Sequence, residues 1–396
     1  MNIVLYKGNF NYDVVNYFVD EISDSLRKRG HIVYVIDIIS LVSKLKKDEI
    51  CEQDILNFFI NNEIELVLSF NGINLINIDI YEKMNIILGI ILVDHPFYHA
   101  ERINRWNSKN TFVAVLDEGS ISTVEKYIND KCILTHLMHG GSYSKNKMME
   151  RKVYDVIFCG GIVKPTLRYI EEVYSKLPQD LKIINDELLN NNGYMDKCLD
   201  EVIRKLNINK EILKLDEYRF ILAEIYILTD KYKRDYMRYN ILKNMLENGI
   251  KVDYFGNCNC EEFSSYDNFI NHGSVEYSEI LEAMKKAKIL VNTIGYFENG
   301  SHERIFSSML NRTLVISNQN NYAYNLYKDK ESIVYFNHDS KEELIDKIKY
   351  YLEHDDERSK IVYNAYKITC KFNTWDNRVD ELIEIYNNMK ENLRNQ

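Results

Sequence analysis

Short apolar runs alternate with amphipathic stretches along the first half of the chain. Side chains with helical spacing occupy Val14 to Arg29 and Cys51 to Asn62. The apolar runs between such stretches predict strands at residues 2–6, 31–38, 64–70, 86–93, 111–116 and 132–137. Strands that alternate with helices in this way indicate parallel βαβ units with right-handed crossovers.

A second cycle of the same kind begins at Val153. Residues 154–159 are predicted to form a strand that runs into Gly160 and Gly161, and residues 165–214 form a polar, asparagine-rich helical insertion. Further strands are predicted at residues 251–255, 289–292 and 313–317, and helices at 234–248, 277–286, 302–310, 340–353 and 375–393. Two doubly wound halves joined near residues 140–153 would bind ligands at the carboxyl ends of their strands.

Composition and charge exclude several classes of protein. The net charge of −10 argues against a nucleic-acid-binding protein, which needs a basic face. No stretch approaches the ~20 apolar residues of a membrane span, and the first residues already read as a strand, so a cytoplasmic location is expected. The cysteines are scattered, and Cys258 and Cys260 lack the second ligand pair of a zinc site. Residues 7–12, after the first strand, do not match G-x-G-x-x-G, which disfavours a dinucleotide dehydrogenase.

The most informative segment runs from Tyr296 to Phe306. A predicted strand ends at Asn292, a polar turn contains Gly300, and a helix follows with Ser301 as its expected N-cap and Arg304 at its third position. The amides and dipole of such a helix start favour a bound diphosphate, to which Arg304 could add a charge-assisted contact. The alternative is a capped helix that carries an exposed arginine.

This segment resembles the donor-binding signature of GT-B glycosyltransferases that have a CgeB-type (glycosyltransferase group 1-like) C-terminal domain. Those chains resemble Gly-x-x-Glu-Arg-x-Phe-Glu-x-x-x-x-Gly-x-x-x-Ile-Ser, and this chain supplies Gly300, Glu303, Arg304, Phe306, Ile316 and Ser317. It departs from the pattern at Ser307, where many relatives have a glutamate that binds the donor ribose, and at Arg312, where they have glycine.

Other segments are similar to the same family in the same order: residues 151–161, 234–238, 272–280 and 372–379. The resemblance covers roughly residues 151–385 and implies a GT-B fold, with two Rossmann-like doubly wound domains that face a central cleft. It implies an acceptor-side domain at residues 1–150, a nucleotide-sugar-binding domain at 151–374, and a final helix, 375–396, that packs back on the first domain. The implied donor-binding residues are Gly160, Gly161, Arg234, Ser274, Val275, Tyr277, Gly300, Ser301, His302, Glu303 and Arg304.

Titratable side chains follow the apolar run 86–93 in the first half. Asp94, His95 and His99 lie just past the end of this predicted strand, where a ligand cleft is expected. A carboxylate or an imidazole there could act as the base that deprotonates an acceptor hydroxyl. The alternative is a polar turn in which Asp94 caps neighbouring amides and Pro96 fixes the loop. A second cluster, residues 139–141, would contact ligand or form a glycine hinge.

No Asp-x-Asp pair of the kind that holds a metal ion on a diphosphate occurs in the sequence. We therefore expect no metal and no other cofactor, with Arg304, helix amides and Arg234 or Arg238 neutralising the leaving diphosphate. The expected function is transfer of a sugar from a nucleotide-sugar donor, preferably a UDP-sugar, to a hydroxyl of a protein or glycan, such as flagellin or another surface structure. A sugar-nucleotide epimerase and a non-catalytic GT-B partner of a glycan-modification complex are the alternatives.

Overall fold

The computed structural model describes residues 1–8, 10, 13–73, 75, 78–106, 108–146, 151–213, 215–295, 297–337 and 340–395. Tyr296 of the signature segment therefore lies outside the described residues. The chain divides into two compact units. The first comprises Met1–His139 and Trp375–Gln396, and the second comprises Gly140–Thr374.

Strands and helices alternate along most of the chain. The strands are β1 (Asn2–Lys7), β2 (Ile32–Asp37), β3 (Leu66–Phe70), β4 (Ile87–Ile91), β5 (Thr111–Val115), β6 (Ile133–His136), β7 (Tyr154–Cys159), β8 (Ile162–Val163), β9 (Val252–Phe255), β10 (Cys258–Asn259), β11 (Phe269–Asn271), β12 (Ala287–Asn292), β13 (Leu314–Asn318) and β14 (Val334–Phe336). The helices are α1 (Val14–Lys28), α2 (Ile38–Lys46), α3 (Glu52–Asn61), α4 (Ile78–Lys83), α5 (Ala100–Ile103), α6 (Gly119–Tyr127), α7 (Arg168–Tyr174), α8 (Gln179–Asn190), α9 (Met195–Lys205), α10 (Lys210–Leu213), α11 (Asp216–Glu247), α12 (Tyr277–Lys286), α13 (Glu303–Leu310), α14 (Asn321–Leu326), α15 (Lys341–Glu353), α16 (Asp355–Phe372) and α17 (Trp375–Arg394). Two 3₁₀ turns occur at Pro96–His99 and Glu261–Ser265.

The first unit is built on a six-stranded sheet with the order β2-β1-β3-β4-β5-β6. Every pairing in this sheet is parallel. All residues of β3, β4 and β5 are buried, because helices cover both faces of a parallel sheet. This explains why the sequence shows these strands as continuous apolar runs.

The last helix, α17, packs on α1 within the first unit. The ring of Trp375 lies 4.7 Å from the ring of Phe18, measured between centroids. Beside these rings, the buried Ser25 donates from its Oγ to Asp376 Oδ1 at 2.5 Å, and at the surface Arg29 Nε donates to Asp380 Oδ1 at 2.7 Å. The final helix therefore belongs to the same hydrophobic core as α1, which lies near the start of the sequence.

The second unit has a six-stranded sheet with the order β11-β9-β7-β12-β13-β14. All of its pairings are parallel, and the strand order reverses between β7 and β12. Such a reversal opens a crevice at the carboxyl ends of the two central strands. The two parallel six-stranded sheets confirm the prediction of a doubly wound α/β fold. Among the described residues, no helix is long and apolar enough to cross a membrane.

Candidate functional site

Three glycine-containing loops meet at the carboxyl edge of the second sheet. They follow β7, β9 and β11 and are joined by backbone hydrogen bonds, from Gly160 N to Phe255 O at 2.9 Å and from Gly256 N to Gly273 O at 2.8 Å. The hydroxyl of Tyr254 donates to Gly160 O at 2.6 Å. The backbone at this edge is therefore fixed before any ligand arrives.

Gly160 allows two arginine side chains to approach this backbone. Its φ of +124° belongs to the region that favours glycine. A Cβ at this position would lie 2.5 Å from an Nη of Arg304, 3.6 Å from the Arg304 Cζ and 3.9 Å from the Arg238 Cζ. Both guanidinium groups thus converge on the space that the missing side chain leaves. The same Nη of Arg304 donates to Cys159 O.

Positive charge is concentrated around Gly160 and Gly161. Arg238 donates to Gly161 O at 3.2 Å, and its Nε is buried without a hydrogen-bond partner among the described residues. Burial and the charges of Arg304 and Arg234 lower the pKa of Arg238 to about 9. Arg234 itself faces Asp230 at 3.6 Å. Because the arginines disfavour one another's charge, an anion bound here would be attracted by each of them.

The helix α13 begins next to this arginine cluster. Its N-cap is His302 and its first residue is Glu303, so the expectation that Ser301 is the N-cap is wrong. Ser301 lies one residue too early, and its hydroxyl is buried without a hydrogen-bond partner in the described part of the chain. Gly300 lies in the preceding turn, where its carbonyl accepts from Asn320 Nδ2. Arg304 is consequently the second residue of the helix, at the positive end of the helix dipole.

The ring of His302 contacts the side chains of the next two residues, Glu303 and Arg304. Its Nε2 accepts from Arg304 at 2.9 Å, and its Nδ1 faces the carboxylate of Glu303. Burial and the charge of Arg304 lower the pKa of His302 to about 4, so the ring is neutral at pH 7. The Nε of Arg304 also donates to His302 Nδ1, at 3.2 Å, so the guanidinium faces both nitrogens of the ring. The three side chains thereby hold the guanidinium of Arg304 toward Gly160.

The loop with the implied donor-binding residues Ser274, Val275 and Tyr277 has one exposed and one buried end. Ser274 is exposed and Val275 is half-buried, whereas Tyr277 is buried as the first residue of α12. Its hydroxyl lies 3.0 Å from Ser307 Oγ, which also accepts from Ser142 N at 3.0 Å. Ser307 is fully buried, so its hydroxyl is committed to the interior of the unit.

His272 stabilises the same loop and was not among the predicted site residues. Its ring stacks on Phe255 at 4.4 Å, and its Nε2 lies 2.8 Å from Asp253 Oδ1. The sequence signal was an aromatic residue at the end of one strand and a histidine just past the next. Only the parallel pairing of β9 and β11 brings the two rings together.

The other departure from the family pattern, Arg312, has a structural explanation. Arg312 has a φ of +61°, the conformation in which many helices end with glycine. Its guanidinium carbon lies 3.4 Å from the centre of the Tyr366 ring, and its carbonyl accepts from Lys152 Nζ at 2.6 Å. The cation–π contact offsets part of the cost of this backbone conformation.

Asp94, His95 and His99 lie close together in the first unit, just past the end of β4. Asp94 is exposed, and its Oδ2 lies 3.8 Å from Nε2 of the buried His99. Nδ1 of His99 faces an Nη of Arg102, while burial and that charge lower the pKa of His99 to about 3. Nδ1 of His95 accepts from Phe97 N at 3.2 Å. Both histidines therefore use a ring acceptor locally, which leaves Asp94 as the best suited of the three to accept a proton.

Residues 139–141 are held by packing contacts. The ring of His139 lies 5.6 Å from Phe18 in the first unit. In the second unit, Gly141 N donates to Asn373 O at 2.8 Å, and a Cβ on Gly141 would lie 2.7 Å from the Cβ of Phe306. Gly141 is thus required for close packing on α13.

No group of three or more His, Cys, Asp or Glu side chains that could hold a metal ion occurs among the described residues.

Comparison with known proteins identifies the type of domain and the fold. Residues 237–384 match the model of the glycosyl transferase-like family. No match was found among curated protein sequences. The structure is similar to a glycosyltransferase from Rickettsia africae, with 12% identity, a TM-score of 0.50 and 99% of each chain covered. It is also similar to Anabaena HepE in complex with UDP-glucose, with 10% identity, a TM-score of 0.53 and 100% of each chain covered. AviGT4, a glycosyltransferase involved in avilamycin A biosynthesis, gives 9% identity, a TM-score of 0.53 and 98% of each chain.

These similarities show that the chain has the GT-B fold expected from the sequence, and that residues 237–384, most of which lie in the second unit, resemble the glycosyl transferase-like family. The matched residues include α12, α13 and the loop before them, whereas Gly160 and Arg234 lie outside the match.

Proposed function

We propose that this GT-B protein is a glycosyltransferase that moves a sugar from a nucleotide-sugar donor to an acceptor hydroxyl. The observation that carries the proposal is the convergence of Arg238 and Arg304 on Gly160, beside the start of α13. Amides at a helix start and two guanidinium groups are complementary to a diphosphate. A UDP-sugar is the favoured donor, since the similar Anabaena protein was crystallised with UDP-glucose.

The arginines would also assist the chemistry. Cleavage of the bond between the sugar and the diphosphate leaves negative charge on the phosphate oxygens, and fixed positive charges stabilise that product and the transition state before it. We propose that Arg304, Arg238 and Arg234 do this without a metal ion. His302 and Glu303 would position Arg304 through the contacts described above.

We place the acceptor in the first unit and propose Asp94 as the base. Its carboxylate is exposed at the carboxyl end of β4, where ligands of parallel sheets bind. The acceptor is proposed to be a protein or glycan, such as flagellin or another surface structure, and the reaction to be cytoplasmic. The CgeB-type assignment of the donor domain belongs to this proposal and rests on the order of its sequence motifs.

Calorimetric titration with UDP and UDP-sugars, with and without EDTA, tests the donor site. We expect binding that EDTA leaves unchanged, followed by slow hydrolysis of one UDP-sugar to UDP and free sugar. Parallel titrations with GDP-, CDP- and TDP-sugars test which nucleobase the donor site prefers. If no nucleotide diphosphate binds, the proposal fails.

One observation favours a second candidate, a non-catalytic partner in a glycan-modification complex. Ser307, where many relatives have the ribose-binding glutamate, is fully buried against Tyr277 and Ser142. Donor binding without any hydrolysis or transfer would support this role. Conversion of one UDP-sugar to another without an acceptor would instead indicate an epimerase.

A further inference from the structure

A second candidate ligand site lies at the carboxyl ends of the outer strands in the second unit. A cavity of about 550 Å³ opens there, a volume within the ~300–1,000 Å³ typical of small-molecule sites. Its wall includes Gly295 after β12 and Gln319 after β13, together with residues of β14 and α15. The turn between α8 and α9, with Asn192 and Tyr194, closes one side.

This cavity differs from the arginine cluster in both position and charge. None of Gly160, Arg238 and Arg304 belongs to its wall. Its charged residues are Asp329, Glu343 and Lys347, and the Lys347 ammonium lies 2.5 Å from a carboxylate oxygen of Glu343. Among the described residues of the wall, negative charge is therefore in excess, and Lys347 is already paired. A phosphate group would be repelled here.

The polar side chains of the wall suit a ligand rich in hydroxyl groups. The amides of Asn192 and Gln319 are exposed and make no hydrogen bond to other described residues. An amide offers both donors and an acceptor, and carboxylates offer acceptors, so together they match hydroxyl groups that can do either. Tyr194 and Tyr335 add aromatic surface to the wall, against which the C–H faces of a sugar ring can pack.

Hydrogen bonds within the protein hold the wall of the cavity in place. Asn318 accepts from Ile294 N at 2.7 Å and donates to Ile294 O at 2.9 Å, which fixes the chain just before Gly295. On the opposite side, Glu343 accepts from Asn337 N at 3.0 Å. Binding to such a preformed wall requires little ordering of the protein.

We propose that this cavity binds a short neutral saccharide, at a site separate from the nucleotide site. The helical insertion supplies part of its wall through Asn192 and Tyr194. The ion pair between Lys197 of α9 and Glu298 joins the insertion to the loop after β12. The proposal requires no catalysis and does not depend on the proposed transferase activity.

Gly295 provides the sharpest test, because a Cβ built on it meets no atom of the described residues within 4 Å. The substitution Gly295→Leu should therefore fill the cavity without displacing protein atoms near the Cβ. A second variant, Gln319→Ala, removes one exposed amide, and Gln179→Ala at the start of α8 is its matched control outside the wall. Melting temperatures confirm that each variant is folded.

The full-length protein is titrated by saturation-transfer NMR with the methyl glycosides of glucose, galactose, mannose, rhamnose and N-acetylglucosamine. We expect at least one probe to bind, Gly295→Leu to abolish its binding, Gln319→Ala to weaken it at least fivefold, and Gln179→Ala to leave it unchanged. UDP affinity, measured on the same samples, should change less than twofold.

Two results would overturn the proposal. The first is that no glycoside binds, or that one binds equally well to Gly295→Leu and Gln319→Ala. The second is that UDP displaces the glycoside, or that both variants lose UDP and glycoside binding together, which would make the cavity part of the donor site. Failure of nucleotide binding alone would affect only the proposed transferase function.

Discussion

At the scale of single residues, the candidate site depends on a missing side chain as much as on the charged ones. Gly160 leaves room for an Nη of Arg304 where any other residue would place its Cβ. Arg304 in turn is oriented by His302, and His302 faces Glu303. Residues 302–304 thus place a guanidinium next to Gly160, which is distant from them in sequence.

Replacing Arg304 should weaken nucleotide binding. We expect Arg304→Ala to reduce the affinity for UDP by about 2 kcal/mol, or roughly 30-fold in Kd, because a charge-assisted contact is lost. Calorimetry measures the change. Arg168→Ala is the control, since the Arg168 side chain is 78% exposed and pairs with Glu172. Unchanged UDP affinity in Arg304→Ala would remove Arg304 from the site.

Gly160→Ala should act through Arg304. The added Cβ would sit 2.5 Å from the Arg304 Nη at a φ of +124°, so we expect a loss of stability of roughly 1–3 kcal/mol and weaker UDP binding. Part of the stability loss should vanish when Arg304 is also replaced by alanine, because the two effects share one contact. Strictly additive losses in a urea-unfolding cycle would contradict this coupling.

Asp94 is tested by a change that keeps its shape. If the carboxylate is the base, Asp94→Asn should lower turnover by roughly 10²- to 10⁴-fold and leave UDP affinity nearly unchanged. Glu101→Gln is the control, since that carboxylate is exposed and paired with Arg105. Transfer assays with matched donor concentrations decide the point, and wild-type turnover in Asp94→Asn would exclude it as the base.

At the scale of elements, α17 shows how a terminal helix can be essential to a distant sheet. Trp375 is only 3% exposed and packs on Phe18 of α1. The exposed contacts of Asp376 and Asp380 with α1 add little, since surface ion pairs contribute ~0–1 kcal/mol. The apolar contact is therefore the main link between α17 and the first unit.

Trp375→Ala should destabilise the first unit by about 3–5 kcal/mol, the usual cost of removing a buried large aromatic side chain. Both tryptophans of the chain, Trp106 and Trp375, belong to the first unit, so the fluorescence of the remaining Trp106 reports its unfolding. Asp380→Asn should cost less than about 1 kcal/mol. If urea unfolds Trp375→Ala at the wild-type midpoint, α17 is not part of this core.

The elements also show where sequence patterns are sufficient. The central strands β3, β4, β5 and β12 were predicted because both their faces are buried, which leaves continuous apolar runs. We missed the short edge strands β11 and β14 and the pairing of β8 with β10. Strands of two or three residues are too short to show an alternation of apolar and polar side chains. The start of α13 was misplaced by a residue, because Ser301 is the better cap by type while backbone geometry selects His302.

The candidate site was only partly accessible from the sequence for a related reason. The turn at Gly300 and the arginine after it form a local pattern, so they could be found. The approach of Arg238 and Arg304 to Gly160 joins three separate segments and depends on the pairing of β7 with β12. The burial of Ser307 similarly depends on Tyr277 and Ser142, which a linear motif does not contain.

At the scale of the whole molecule, the buried His99 and the partly buried His302 predict loss of stability in acid. Burial, with a nearby arginine in each case, lowers the pKa of His99 to about 3 and that of His302 to about 4, from an ordinary value of 6.5. Well above pH 6.5 both histidines are neutral in the folded and unfolded chain. As the pH falls from 6.5 toward 4, only the unfolded chain gains these protons, so stability falls by up to ~1.4 kcal/mol per pH unit for each histidine.

Urea unfolding at pH 7.5 and pH 5.0, followed by tryptophan fluorescence, checks this in the first unit. The wild type should lose more stability between the two values than His99→Gln, which cannot titrate. His354→Gln, at an exposed position, should behave like the wild type. Equal losses in wild type and His99→Gln would show that His99 does not contribute to the acid sensitivity.

The division of the chain has a consequence for its synthesis. The second unit is continuous, and its ends meet where Gly141 pairs with Thr374. The first unit contains β1 but also needs α17, which is translated after the whole second unit. Domains usually fold as they emerge, yet here the first unit cannot be completed until the second unit has been translated. The second unit can therefore finish folding while the first unit is still incomplete. During that time the surface of α1 that packs on α17 is exposed to solvent.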